Sequence, residues 1–81
     1  MADYNGWKNR QTWNVALWIS NDEGLYRVAC EFMRNNANAK APYARFIKHG
    51  GLVDMRTPDN ISFSGTRLDY GALNDFMREL V

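Results

Sequence analysis

Between Leu25 and Met33 the apolar residues fall at Leu25, Val28, Ala29, Phe32 and Met33, the i, i+3, i+4, i+7, i+8 spacing of one helix face. A strand would alternate with period two, so this segment is committed to a helix that must bury one side against another element. Arg27, Glu31 and Arg34 stand off the stripe, and Glu31 is spaced to pair with Arg27 or Arg34. Ahead of it, Ser20-Asn21-Asp22-Glu23 has the form of a capping box with acid in the first turn. Asn35, Asn36 and Asn38 end the helix, because their side chains compete for the backbone.

The remaining elements are read around this one. A preceding helix is expected from about Asn9 or Thr12, either of which can cap it, to Ile19. Trp13, Ala16, Leu17 and Ser20 share one face, while Val15, Trp18 and Ile19 lie on others. A helix apolar nearly all round belongs at the centre, which places Trp13, Leu17 and Trp18 in the core. A third helix fits Ala41 to His49, with Pro42 in its first turn, a stripe of Tyr43, Phe46 and Ile47, and Gly50-Gly51 as a left-handed stop. Lys48 and His49 complement its dipole. Leu52 to Arg67 reads as an irregular loop, with a turn at Pro58-Asp59-Asn60 and an extended piece, Ile61-Ser62-Phe63, that has nothing to pair with. The last helix spans about Tyr70 to Leu80, capped by Asp69, stapled by Leu68 and Leu73, and striped by Leu73, Phe76, Met77 and Leu80. Met1 to Trp7 is an extended lead-in pinned by Tyr4 and Trp7.

The expected fold is therefore all-α, a single helical domain over residues 1–81. About four helices surround an aromatic-rich core, with an irregular loop before the last helix. Trp13, Leu17, Leu25, Val28, Phe32, Phe46, Leu73 and Phe76 are the expected core.

A chain of 81 residues has room for one core and one interaction face, and little for an enclosed substrate pocket. Ten basic residues against nine acidic ones leave a net charge of +1, which argues against nucleic-acid or membrane binding driven by net charge. Nucleic-acid binding is accordingly expected to be weak or none. Cys30 is the one cysteine, so no intrachain disulfide exists and a reducing, cytoplasmic setting fits. Nothing near the N-terminus reads as a signal peptide, and no apolar run approaches the roughly 18 residues of a membrane span.

Catalytic chemistry is thin. His49, the one histidine, sits at a predicted helix end, where its ordinary role is dipole complementation. Cys30 falls beside the apolar stripe and reads as a buried, inert thiol. One His and one Cys do not make a zinc site without several carboxylates. Asp22, Glu23 and Asp69 are explained as helix N-terminal acids, and the glycines form no phosphate-binding pattern. The chain is read as a non-enzyme with no metal and no cofactor.

Two binding faces are open. Large rings outside the stripes, beside arginines, resemble interface hot spots. Trp18, Tyr26 and Arg27, with Trp7 and Arg10, make that candidate protein-binding face. Trp18 packed under the loop from Leu52 to Arg67 is its rival reading. Alternatively Arg34, Lys40, Arg45 and Lys48 share a face of helices two and three that touches phosphates; a solvated, salt-linked face is the plainer account. The polar run from Asn9 to Asn14 admits both a binding epitope and a polar network that locks a helix start onto the core.

That run also carries a resemblance. Asn5-Gly6-Trp7-Lys8-Asn9-Arg10-Gln11-Thr12-Trp13-Asn14-Val15-Ala16-Leu17-Trp18 resembles the N-G-[WY]-x-N-x-x-T-W-N-V-x-L-W opening of a group of small proteins of bacteriophages, cyanophages included, and bacterial mobile elements. The likeness is strong over residues 4–28 and weaker over Leu68 to Leu80. It supplies no activity and no catalytic residues. By analogy it implies an accessory protein that binds a host or phage protein in the host cytoplasm, in host takeover or counter-defence. The alternatives are a small nucleic-acid-binding module and a homo-oligomeric structural protein.

Overall fold

The computed structural model describes residues 6–80; the expected pinning by Tyr4 lies outside them. Four helices follow in order: α1 (Arg10–Asn21), α2 (Glu23–Asn35), α3 (Pro42–His49) and α4 (Tyr70–Arg78). The architecture is all-α. α1 packs on α2 and α4, α3 on α4 and α2, and α2 on α4, so α2 and α4 each touch every other helix.

α1, α2 and α4 each begin at a residue whose own side chain takes up an orphan backbone N–H, whereas α3 has no such cap and its Tyr43 amide donates to Asn74 of α4 at 3.0 Å. The Asn9 carboxamide accepts from the Thr12 amide at 2.9 Å, and the Asp69 carboxylate accepts from the Ala72 amide at 3.1 Å. The capping box expected from Ser20 is corrected. Ser20 is still inside α1, and Asp22 caps α2 by accepting from the Leu25 amide at 3.0 Å. Asp22 also ends α1, its own N–H donating to the Trp18 carbonyl, so a single extended residue joins two helices. α3 starts at Pro42. At its end Gly51, at φ +72°, lets the Leu52 amide reach back to the Ile47 carbonyl at 2.7 Å. Gly50 is at an ordinary φ of −85°, so Gly51 alone supplies the left-handed residue.

The core is built from Val15, Ala16 and Ile19 of α1, Ala29, Phe32 and Met33 of α2, Tyr43, Phe46 and Ile47 of α3, and Leu73 and Met77 of α4, closed by Leu52, Phe63 and Leu68. This corrects the sequence reading of α1. Its innermost positions are Thr12, Val15, Ala16 and Ile19, a face rotated away from Trp13 and Leu17, which are half-buried, as is Trp18. A helix apolar nearly all round carries no stripe from which its phase can be read. Leu25 and Phe76 sit at the core edge, and Val28 is outside it, 43 % exposed.

The loop before α4 is also more ordered than expected. Ile61–Phe63 does have a partner: it folds back on residues 55–57 through an antiparallel bridge between Arg56 and Ser62. The Thr57 amide donates to the Ile61 carbonyl at 2.8 Å, and the Phe63 amide to the Met55 carbonyl at 3.2 Å. Pro58, Asp59 and Asn60 close this hairpin, with Asn60 in the left-handed region at φ +67°, the form of a three-residue turn. Phe63 hangs from it into the core.

Candidate functional site

The polar residues of the N-terminal motif point inward. Thr12 and Asn14 are completely buried. The Thr12 hydroxyl donates to the Asn9 carboxamide at 2.7 Å and accepts from the Asp69 amide at 2.9 Å. Asn9 donates in turn to the Arg67 carbonyl at 2.8 Å. The start of α1 is thereby fixed to the start of α4. Asn14 accepts from the Thr57 hydroxyl and donates to the Asp59 carboxylate, both at 2.7 Å. The Trp18 indole N–H donates to the same carboxylate oxygen at 3.0 Å. The Asn14 amide, then the Trp18 indole, hold the Asp59 carboxyl below its ordinary value; desolvation opposes them and the nearby Arg10 charge assists. This network anchors the hairpin turn to the middle of α1. Of the two readings of the run from Asn9 to Asn14, the locking network is the one formed.

The residues of the first candidate face are brought together only in part, Trp18 and Arg10 both lying by Asp59. Trp18 is held by the hairpin, as its rival reading had it, and among the described residues no hydrogen bond or ring contact joins it to Tyr26. Tyr26 is 43 % exposed on the outside of α2. Its hydroxyl is raised in pKa, chiefly by a hydrogen bond with the Cys30 thiol. Arg27 pairs with Glu23 at 2.9 Å, both side chains highly exposed, rather than with the expected Glu31. The choice follows from the chain direction, since a Glu one turn before a cation is the favoured i, i+4 order. Trp7 is half-buried, its ring edge-on to Phe76 of α4 at 6.0 Å. Arg10 is exposed near Asp59.

The second candidate face is partly assembled. Arg45 and Lys48 line a hollow of about 550 Å³ together with Phe32, Asn36 and His49. An adjoining hollow of about 360 Å³ shares Phe32, Asn36 and His49 and extends to Val28, Glu31 and Asn35. The His49 ring lies against Phe32 at 5.6 Å, and Phe32 against Phe46 at 5.8 Å, so the floor continues the core. Asn36 is braced by donating to the Phe32 carbonyl at 2.8 Å. Arg34 and Lys40 are exposed but outside this lining; the Lys40 carbonyl instead accepts from Arg78 at 3.2 Å.

Two features of this face escape a residue-by-residue reading. From Phe32 to Val53 the chain contains Arg34, Lys40, Arg45 and Lys48 and no Asp or Glu, so a near-neutral chain holds one wholly cationic stretch. That signal was present in the sequence. The exposure of Val28 was not, because its spacing belongs to the stripe.

Among the described residues no group of three or more His, Cys, Asp or Glu could hold a metal ion, and Cys30 is buried and unpaired with another cysteine. Among the described residues no helix is long and apolar enough to cross a membrane.

Fold and network together define a small all-α domain whose N-terminal motif clamps a hairpin and the last helix to α1. The chain belongs to the Family of unknown function (DUF7249), whose model matches residues 1–81. No curated protein and no solved structure matches the sequence.

Proposed function

We propose that this protein is a non-catalytic binding module, a phage-type accessory protein that acts stoichiometrically on a host or phage protein in the host cytoplasm. The observation that carries this reading is the mixed hollow on α2 and α3. Its floor is the apolar Phe32, one wall is the exposed Val28, and the other is Arg45 and Lys48. Apolar surface rimmed by charge is the composition of a protein-recognition patch. The resemblance of residues 4–28 to phage proteins supports the setting. Takeover and counter-defence are both served by a partner that is bound and altered rather than turned over.

Affinity capture from lysate of a bacterial host tests the proposal. A protein recovered in near-equimolar amount, resistant to nuclease, is the expected result. Recovery of nucleic acid alone, with affinity falling steeply as salt rises, would replace this reading with the nucleic-acid module.

A further inference from the structure

Resting on the binding-module reading, we propose that the hollow between α2 and α3 is the docking surface for an acidic, amphipathic segment of the partner protein. Its apolar side chains lie on Val28 and Phe32, and its carboxylates face Arg45 and Lys48.

Three observations select this occupant. The first is charge. The acid-free stretch from Phe32 to Val53 carries four cations, while the rest of the chain has six basic and nine acidic residues. The hollow therefore offers a positive wall on a molecule whose other residues sum to a negative charge, and electrostatic complementarity of this kind chooses a partner and an orientation. Among the described residues neither Arg45 nor Lys48 is in an ion pair, so neither is already matched to a carboxylate there. The second is the apolar wall. Val28 occupies a core position of the α2 stripe yet stays 43 % exposed, beside Glu31, Phe32 and His49. A phosphate backbone would leave that apolar surface uncovered, whereas a segment with alternate apolar and acidic faces covers both walls at once. The third concerns rings. Phe32 is only 8 % exposed, with the His49 ring tilted at 42° against it at 5.6 Å, so little of its face is open. Single-stranded nucleic acid is held by stacking its bases on exposed ring faces. An amphipathic helix laid in a groove, reading it at i, i+3 and i+4, meets the geometry with no such requirement.

The test uses the full chain and three probes: a synthetic amphipathic peptide with Glu on its polar face and Leu and Phe on the other, the same peptide with Lys for Glu, and a single-stranded oligothymidine. Binding is measured by calorimetry and mapped by amide chemical shifts. The Glu peptide should bind, with shifts centred on Val28, Phe32, Asn36, Arg45 and Lys48. The Lys peptide and the oligonucleotide should bind at least about tenfold more weakly. R45E/K48E should weaken the Glu peptide by about tenfold or more, as should V28E, which places like charge on the apolar wall. All three positions are exposed, so the fold persists, and a melting curve verifies it. R56E, which changes a cation on the hairpin, should leave binding unchanged.

No binding of the Glu peptide, shifts centred elsewhere, or equal binding to wild type and R45E/K48E overturns the proposal. Tighter binding of the oligonucleotide overturns it in favour of nucleic acid. If R45E/K48E still captures its protein from lysate, the docking surface is misplaced while the binding-module reading stands. If neither form captures a protein, that reading falls as well.

Discussion

The two sides of this domain handle polar chemistry in opposite ways. On the side made by α1, the hairpin and the start of α4, the side-chain hydrogen bonds run between distant parts of the chain. Asn14 reaches Thr57 and Asp59, Trp18 reaches Asp59, Thr12 reaches Asp69, and Asn9 reaches Arg67. On the outer side of α2 the bonds are local, each within about one helical turn: Arg27 to Glu23, Asn35 to the Glu31 carbonyl, and Asn36 to the Phe32 carbonyl. Long-range bonds made by buried groups hold tertiary structure in place, because each partner left unpaired in the interior loses its share of solvation. Local bonds on an exposed helix constrain only that helix, leaving its outward groups available. The distinctive motif thus belongs to the architecture, and the proposed docking surface lies instead on the plainer α2 and α3.

Substitutions on the two sides should separate these roles. The largest effect is expected where the open side meets the core. Phe32→Ala removes a ring that packs on Phe46 and floors the hollow, and should destabilise by about 3–5 kcal/mol in chemical denaturation. An unchanged midpoint would show that α2 is not seated as described.

Next comes the lock. Asn14→Ala leaves the buried Thr57 hydroxyl without its acceptor and removes one of the two donors on Asp59. The expected loss is about 2–3 kcal/mol, and the Asn14→Ala/Thr57→Val cycle should show coupling of about 1 kcal/mol. Additive losses would mean the two residues act independently.

Tyr43→Phe should have a smaller effect. The buried Tyr43 hydroxyl, its pKa raised first by burial and then by the neighbouring Tyr70, donates to the Phe63 carbonyl and so ties α3 to the hairpin. Removing it should cost about 1–2 kcal/mol. A stability equal to wild type would place the hairpin outside the cooperative unit.

Asp59 gives the lock a pH signature. Its folded pKa is below the ordinary 3.8, so its contribution is fully present above that value and disappears as pH falls through the folded pKa. Stability measured from pH 5 downward should fall less steeply in Asp59→Asn than in the wild type. Parallel curves would remove Asp59 from the acid response.

The smallest effect belongs to the open side. Val28→Ala should change stability by no more than about 0.5 kcal/mol, since the lost contact is partial and alanine favours a helix. A loss above about 2 kcal/mol would put Val28 in the core after all.

Local chemistry was legible because it is written in near neighbours. The stripe of α3, the caps at Asn9 and Asp69, the proline at the start of α3 and the glycine stop after it all involve residues within a turn or two of one another. The α2 stripe was legible as a helix and misleading at one position. Spacing shows which residues share a face but not how much of that face its neighbours cover, and Val28 is left 43 % exposed. Ser20 was misassigned for a related reason. Serine and aspartate are both good caps, and the choice between them depends on where α1 stops.

The sequence by itself determined the number of helices, most of their boundaries, the all-α class and the cationic stretch from Phe32 to Val53. These follow from periodicity, capping and composition, which act over a few residues at a time. Only the tertiary structure decided which face of α1 turned inward, that Ile61–Phe63 would find a partner in residues 55–57, and that Asn14 and Trp18 would converge on Asp59 more than 40 residues away. A helix apolar on every side has several buried orientations of similar hydrophobic gain. The one adopted here also satisfies the buried polar groups Thr12 and Asn14, and that condition is met only when the distant hairpin and the start of α4 are in place.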